Sequence, residues 1–221
     1  QKGQESDDDM ARDHQEAWER TIEMLDTSDI KGKTILDVGC NQGGFLRKLY
    51  DTTPFKEGVG IDLARLSLEK AETLKGERPL TYYLTDKPQE TNRTFDTAVS
   101  TSVLYLIEDI PQHAQDLKEV LKPGGVYYAS FADLTNNPSR QFMDDTINQY
   151  GATPSQNHSL KHIVDSFVDA GFEVAVMKEP VPDVIDLTHY SDFYLSPNDY
   201  LQTLYEESFL IKASVKEGIG K

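Results

Sequence analysis

Lys33-Thr34-Ile35-Leu36-Asp37-Val38-Gly39-Cys40-Asn41-Gln42-Gly43-Gly44, running on into Phe45-Leu46-Arg47-Lys48-Leu49-Tyr50, reads as a strand, a tight turn and a helix. Ile35, Leu36 and Val38 form a short apolar run, whereas Phe45, Leu46, Leu49 and Tyr50 recur one helical turn apart. Glycines at 39, 43 and 44 let the chain take positive φ angles and let a ligand approach the main chain closely. The free N–H groups at the helix start can hold an anionic or polar group. An ordinary strand-to-helix connection containing glycine has the same local pattern, so the decision passes to the next strand.

That strand is Val59-Gly60-Ile61-Asp62, ending in a carboxylate 23 positions after Gly39. A doubly wound sheet presents an acid to a ribose diol at this spacing. An acid there can also be the N-cap of the following helix, expected over Ala64 to Leu74. A dinucleotide turn would read G-x-G-x-x-G, but its middle glycine is replaced by Asn41, a residue that tolerates the left-handed conformation. Asp37, two residues before the first glycine, disfavours a pyrophosphate.

Asp37-Val38-Gly39-Cys40-Asn41-Gln42-Gly43 resembles motif I of the class I S-adenosylmethionine-dependent methyltransferases. The resemblance implies S-adenosylmethionine as methyl donor and S-adenosylhomocysteine as product. The donor carries an ammonium and no pyrophosphate, which suits Asp37. Thr81 to Thr85 looks like the third strand, with Asp86 where the family commonly contacts the adenine amino group. Phe95 to Ser100 looks like the fourth strand, and Thr101 to Glu108 like the loop passing the methionine end. On this resemblance the cofactor contacts are Asp37, Gly39, Cys40, Asn41, Gly43, Asp62, Leu63, Asp86, Ser100 and Thr101.

Gln112 to Leu121 has an amphipathic helical pattern that Lys122-Pro123-Gly124-Gly125 is expected to stop before a fifth strand at Val126 to Phe131. Ser159 to Val168 reads as another helix with Gly171 beyond it, followed by strands at Phe172 to Met177 and Phe209 to Val215. The family pattern implies a doubly wound α/β fold: a seven-stranded, mostly parallel sheet of order 3-2-1-4-5-7-6, with the last strand antiparallel.

The chain of 221 residues is expected to form one domain over 12–221, after a disordered acidic tail at 1–11. Gln15 to Leu25 reads as a helix with Trp18, Ile22 and Leu25 on one side, packed on the domain or capping the cofactor cleft. No apolar run approaches the roughly 20 residues that span a bilayer. The acidic start is unlike a secretory signal, and one cysteine excludes an intramolecular disulfide framework, so a cytoplasmic setting is expected. Cys40 reads as a small buried residue. The net charge of −16, with no basic run, argues against a nucleic-acid acceptor.

Acceptor recognition is expected in segments about 132–157 and 180–208. The first holds Arg140, Phe142 and Met143; the second is rich in tyrosine, including Tyr190, Tyr194 and Tyr200. Such a lining suits a small, partly apolar acceptor, although the same aromatics could equally close a core. Tyr105 sits where the family often has a residue facing the methyl group, and His113, His158 and His189 can relay a proton. Catalytic candidates are thus Tyr105, His158 and His189. His158 and His162 have zinc-helix spacing without the intervening Glu or a third ligand, and no metal site is expected. A non-catalytic relative of the same fold and, more remotely, a nicotinamide-dependent oxidoreductase stand as alternatives.

Overall fold

A computed structural model of the protein describes residues 15–151 and 153–216. The acidic tail expected at 1–11 lies outside them. Seven strands form one sheet: β1 Thr34–Val38, β2 Glu57–Asp62, β3 Leu80–Leu84, β4 Phe95–Ser100, β5 Leu121–Ala132, β6 Phe172–Lys178 and β7 Ser208–Val215. Their order is 3-2-1-4-5-7-6, and β7 runs antiparallel to both β5 and β6. The remaining pairs are parallel.

Residues alternate between the two faces of this sheet, so each strand feeds two cores. On β5, Tyr127, Ala129 and Phe131 join one apolar cluster, while Val126 and Tyr128 join the other. The first cluster holds α5 (Ile110–Val120) and α7 (Leu160–Asp169) through Ile110, Ala114, Leu117, Ile163 and Phe167. The second holds α1 (15–24), α2 (Thr27–Ile30) and α3 (Gly44–Thr52) through Ile22, Ile30, Phe45, Leu46 and Leu49. Trp18 and Leu25 pack into that same cluster, which accounts for the apolar side read from Gln15 to Leu25.

Several boundaries moved for identifiable reasons. Helix α5 begins at Ile110 because the Asp109 carboxylate accepts from the Gln112 N–H and Pro111 occupies the first turn. It ends at Val120, and the chain enters β5 at once: Leu121 pairs with Phe95, then the register shifts so that Val126 pairs with Thr97. Pro123 and Gly124, the latter at φ 75°, are thus carried within the strand as an irregularity rather than separating helix from strand. Asp62 does not cap α4 (Arg65–Leu74); that position is Ala64, which has no side-chain acceptor. The segment after β5 contains α6 (Arg140–Tyr150), and the one before β7 contains α8 (Pro197–Gln202) and a π-helical turn over Thr203–Glu207.

Candidate active site

Strand order reverses between β1 and β4, and a doubly wound sheet binds ligands beyond the carboxyl ends of its strands at such a point. The turn after β1 is pinned to β2 there. Gly39 and Cys40 both donate their N–H to Ile61 O, at 2.9 and 3.0 Å, and Gly43 N–H closes onto Cys40 O at 2.8 Å. Gly39, Asn41 and Gly43 have φ of 74°, 48° and 68°. Asn41 is one of three non-glycine residues among those described that hold a positive φ. A side chain at 39 would stand 2.6 Å from a Val103 methyl, so glycine is required there by both backbone and space.

Asp62 joins this turn to the next helix. One carboxylate oxygen accepts the Asn41 N–H at 2.8 Å and the other accepts the Ala64 N–H at 2.8 Å. Each oxygen keeps a second lone-pair direction. Leu63, next in sequence, is 64% exposed. Asp86 is exposed beyond the end of β3.

Asp37 is the outlier. Its side chain is buried, and neither carboxylate oxygen has a hydrogen-bond partner. Burial, and secondarily the charge of Asp62, push its pKa well above the usual carboxylate range. Ser100, the last residue of β4, is also buried with its hydroxyl unbonded. Buried polar groups are normally satisfied, so an orphaned carboxylate beside this turn makes Asp37 a candidate site residue. Cys40 is buried too, and its thiol is pushed far up by desolvation, which makes it an inert filler.

Beyond Thr101 the chain lines a cavity of about 430 Å³. Its walls come from Ser102 and Tyr105 after β4, the end of β5, α6, residues 155–158, Glu179 and the pair Phe193 and Tyr194. Ser102 holds φ 56° and its N–H donates to Ser130 Oγ at 2.8 Å, tying the two strand ends together. Tyr105 and His158 therefore meet in one cavity. Their loops are stitched by the Gln156 N–H to Tyr105 O at 2.7 Å and by His158 Nε2 to Ile107 O at 2.6 Å. A carbonyl only accepts, so Nε2 carries the proton and a neutral His158 offers Nδ1 as its lone pair.

The other two histidines are placed elsewhere. His189 is exposed before a short 3-10 turn and does not line the cavity. His113 is buried in the core against Tyr127 and Phe167, its Nε2 3.1 Å from the Tyr127 hydroxyl. His158 and His162 rings lie 5.2 Å apart, and among the described residues no cluster of His, Cys, Asp or Glu could hold a metal ion. A larger recess of about 580 Å³ lies at the starts of β1, β2 and β4, the opposite edge of the sheet.

The two segments set aside for the acceptor are joined by a buried polar network. The Asn137 amide donates to Asp199 O, Thr203 Oγ1 and Glu207 Oε2 at 2.9, 3.1 and 2.8 Å. Ser139 Oγ donates to the Asp199 carboxylate and accepts the Leu195 N–H at 2.8 Å. Ser102, Ser139 and Glu179 were missed in the sequence because short polar residues and a lone acid in loops carry no periodic signal.

A family model described as a methyltransferase domain matches residues 10–176, about three quarters of the chain. The chain belongs to the class I S-adenosylmethionine-dependent methyltransferases. A tRNA U34 carboxymethyltransferase of Hydrogenovibrio crunogenus is 34% identical over 117 residues, covering 49% of this chain and 34% of that protein. A malonyl-[acyl-carrier protein] O-methyltransferase of Anoxybacillus flavithermus is 28% identical over 105 residues, 47% of this chain and 40% of its own length. The chain thus spans less than half the length of either relative. The solved structure of an S-adenosylmethionine-dependent methyltransferase from Mesorhizobium loti shares the fold, with TM-score 0.66 at 20% identity over 87% of this chain and 94% of that one. Among the described residues, no helix is long and apolar enough to cross a membrane.

Proposed function

We propose that the chain transfers a methyl group to a small, partly apolar acceptor held in the cavity between Tyr105, α6 and Tyr194. The cavity itself carries this reading. It lies at the carboxyl ends of β4 and β5, next to the residues expected to receive the donor, and it is lined by Phe131, Leu134, Met143, Ile147 and Phe193 with a few hydrogen-bonding groups between them. The net charge of −16 supports a small acceptor over a nucleic acid, whose phosphates would be repelled. The two relatives are named for a tRNA and for an acyl carrier protein, so their acceptors do not converge on one class.

S-adenosylmethionine, when bound, supplies an already activated methyl group. Asp37 suits its ammonium, the turn residues Gly39, Cys40, Asn41 and Gly43 its close approach, and Asp62 its ribose hydroxyls. Leu63, Asp86, Ser100 and Thr101 complete the proposed contacts. The burden on the protein is alignment and exclusion of water. Burial raises the Tyr105 pKa, so its phenol stays protonated and serves as a hydrogen-bond donor that orients the acceptor. His158, fixed by Ile107 O, is the group able to take a proton from the acceptor through Nδ1.

Isothermal titration with S-adenosylhomocysteine tests the reading: binding in the micromolar range is expected. Absence of binding at millimolar ligand would refute it.

A further inference from the structure

The charges on the cavity wall do not cancel. Arg140 reaches Asp144 at 3.9 Å and donates from Nε to Asn157 Oδ1 at 2.6 Å. Asp144 also accepts from Ser155 Oγ at 2.8 Å. Glu179, on the first residue after β6, is the remaining charged side chain of the lining. Among the described residues its carboxylate accepts no hydrogen bond and forms no ion pair. Lys178 next to it makes no ion pair with it: its Nζ donates to Ser208 O at 2.9 Å and lies 4.8 Å from the centre of the Phe209 ring, although its charge is felt at the Glu179 carboxyl. Arg20 of α1 is near enough to be felt but does not come within ion-pair distance.

We infer that Glu179 is a specificity-determining residue that selects an acceptor bearing an amine on an apolar skeleton. This rests on the cavity being the acceptor site of the methyltransferase. A carboxylate in a partly apolar lining, with no hydrogen bond or ion pair of its own, attracts a protonated amine and repels carboxylates and phosphates. Desolvation raises the Glu179 pKa, as expected of a carboxyl that lacks a partner and would gain one from an ammonium. The charged side chains of the lining, Arg140, Asp144 and Glu179, carry a formal sum of −1, which disfavours an anion.

The test uses three probes of one shape on the full chain saturated with S-adenosylhomocysteine: 2-phenylethylamine, 2-phenylethanol and 3-phenylpropanoate. Binding is read by ligand-observed NMR or calorimetry. The amine should bind about tenfold more tightly than the alcohol, and the anion most weakly. Glu179→Gln should bring amine and alcohol to near equality, with S-adenosylhomocysteine affinity unchanged as proof of folding. Glu179→Asp, which keeps the charge, should keep an amine preference. The inference is overturned if the alcohol or the anion equals the amine, if none of the three binds, if Glu179→Gln retains the preference, or if Glu179→Asp loses it as fully as Gln. Failure of the wild type to bind S-adenosylhomocysteine would instead strike the transferase reading itself.

Discussion

The six-membered ring of Trp18 lies where a β-carbon on Gly44 would stand. Residue 44 is the first of α3, immediately after the turn proposed to receive the cofactor, so the N-terminal helix is seated on that turn. This gives Gly44 a packing reason that a positive φ does not supply.

Gly44→Ala should therefore destabilise the protein by about 1 to 2 kcal/mol through overpacking. In a Trp18→Ala background the same change should become neutral or stabilising by up to about 1 kcal/mol, because alanine is the better helix former. Urea unfolding of the four proteins in the cycle measures the reversal. Additive effects would mean the two residues do not share the space.

Asp62→Ala removes the acceptor for the Asn41 and Ala64 N–H groups as well as the proposed ribose contact. S-adenosylhomocysteine affinity should fall by about 1 to 3 kcal/mol. Titration calorimetry decides, and an unchanged affinity rejects the ribose assignment.

Asp37 makes an opposite prediction for stability and for binding. Its pKa is raised in the ligand-free fold, so between the ordinary carboxylate value and that raised value the folded chain holds a proton that the unfolded chain has released. Stability then falls as pH rises through this window. Asp37→Asn should remove the dependence and leave the ligand-free protein more stable than wild type at pH 8, while abolishing S-adenosylhomocysteine binding. Denaturation curves at pH 5 and pH 8 test this; a variant less stable at both would show that the buried charge is not the cause.

His113 titrates in the other sense. Burial lowers its pKa from 6.5 to about 4, so in that window the unfolded chain binds the extra proton and stability is lost as pH falls. The full shift is worth about 3 kcal/mol. His113→Gln, which can still bond the Tyr127 hydroxyl, should flatten the stability profile between pH 6.5 and 4. Persistence of the wild-type slope would assign the acid sensitivity to other groups.

The turn proposed to receive the donor is legible in the sequence because it is local. Asp37, the glycines, Asn41 and Asp62 fall within thirty residues, and each is demanded by backbone conformation, close approach or charge at its own position. The strands were legible for a similar reason: two-sided burial writes apolar runs directly into the chain, as in Ile35 to Val38 and Ala98 to Val99. The start of β5 was not, since Pro123 and Gly124 locally signal a break and only pairing with β4 retains them.

The sequence by itself made the turn readable, because glycine placement and the Gly39-to-Asp62 spacing are properties of a short segment, and the resemblance of that segment to motif I implied the family and its sheet order. Tertiary structure decided the cavity. Tyr105, Arg140, His158, Glu179 and Tyr194 are separated by up to 89 residues and share no pattern; the ends of β4, β5 and β6 bring them to one edge. The same long-range packing placed His113 in the core and His189 on the surface.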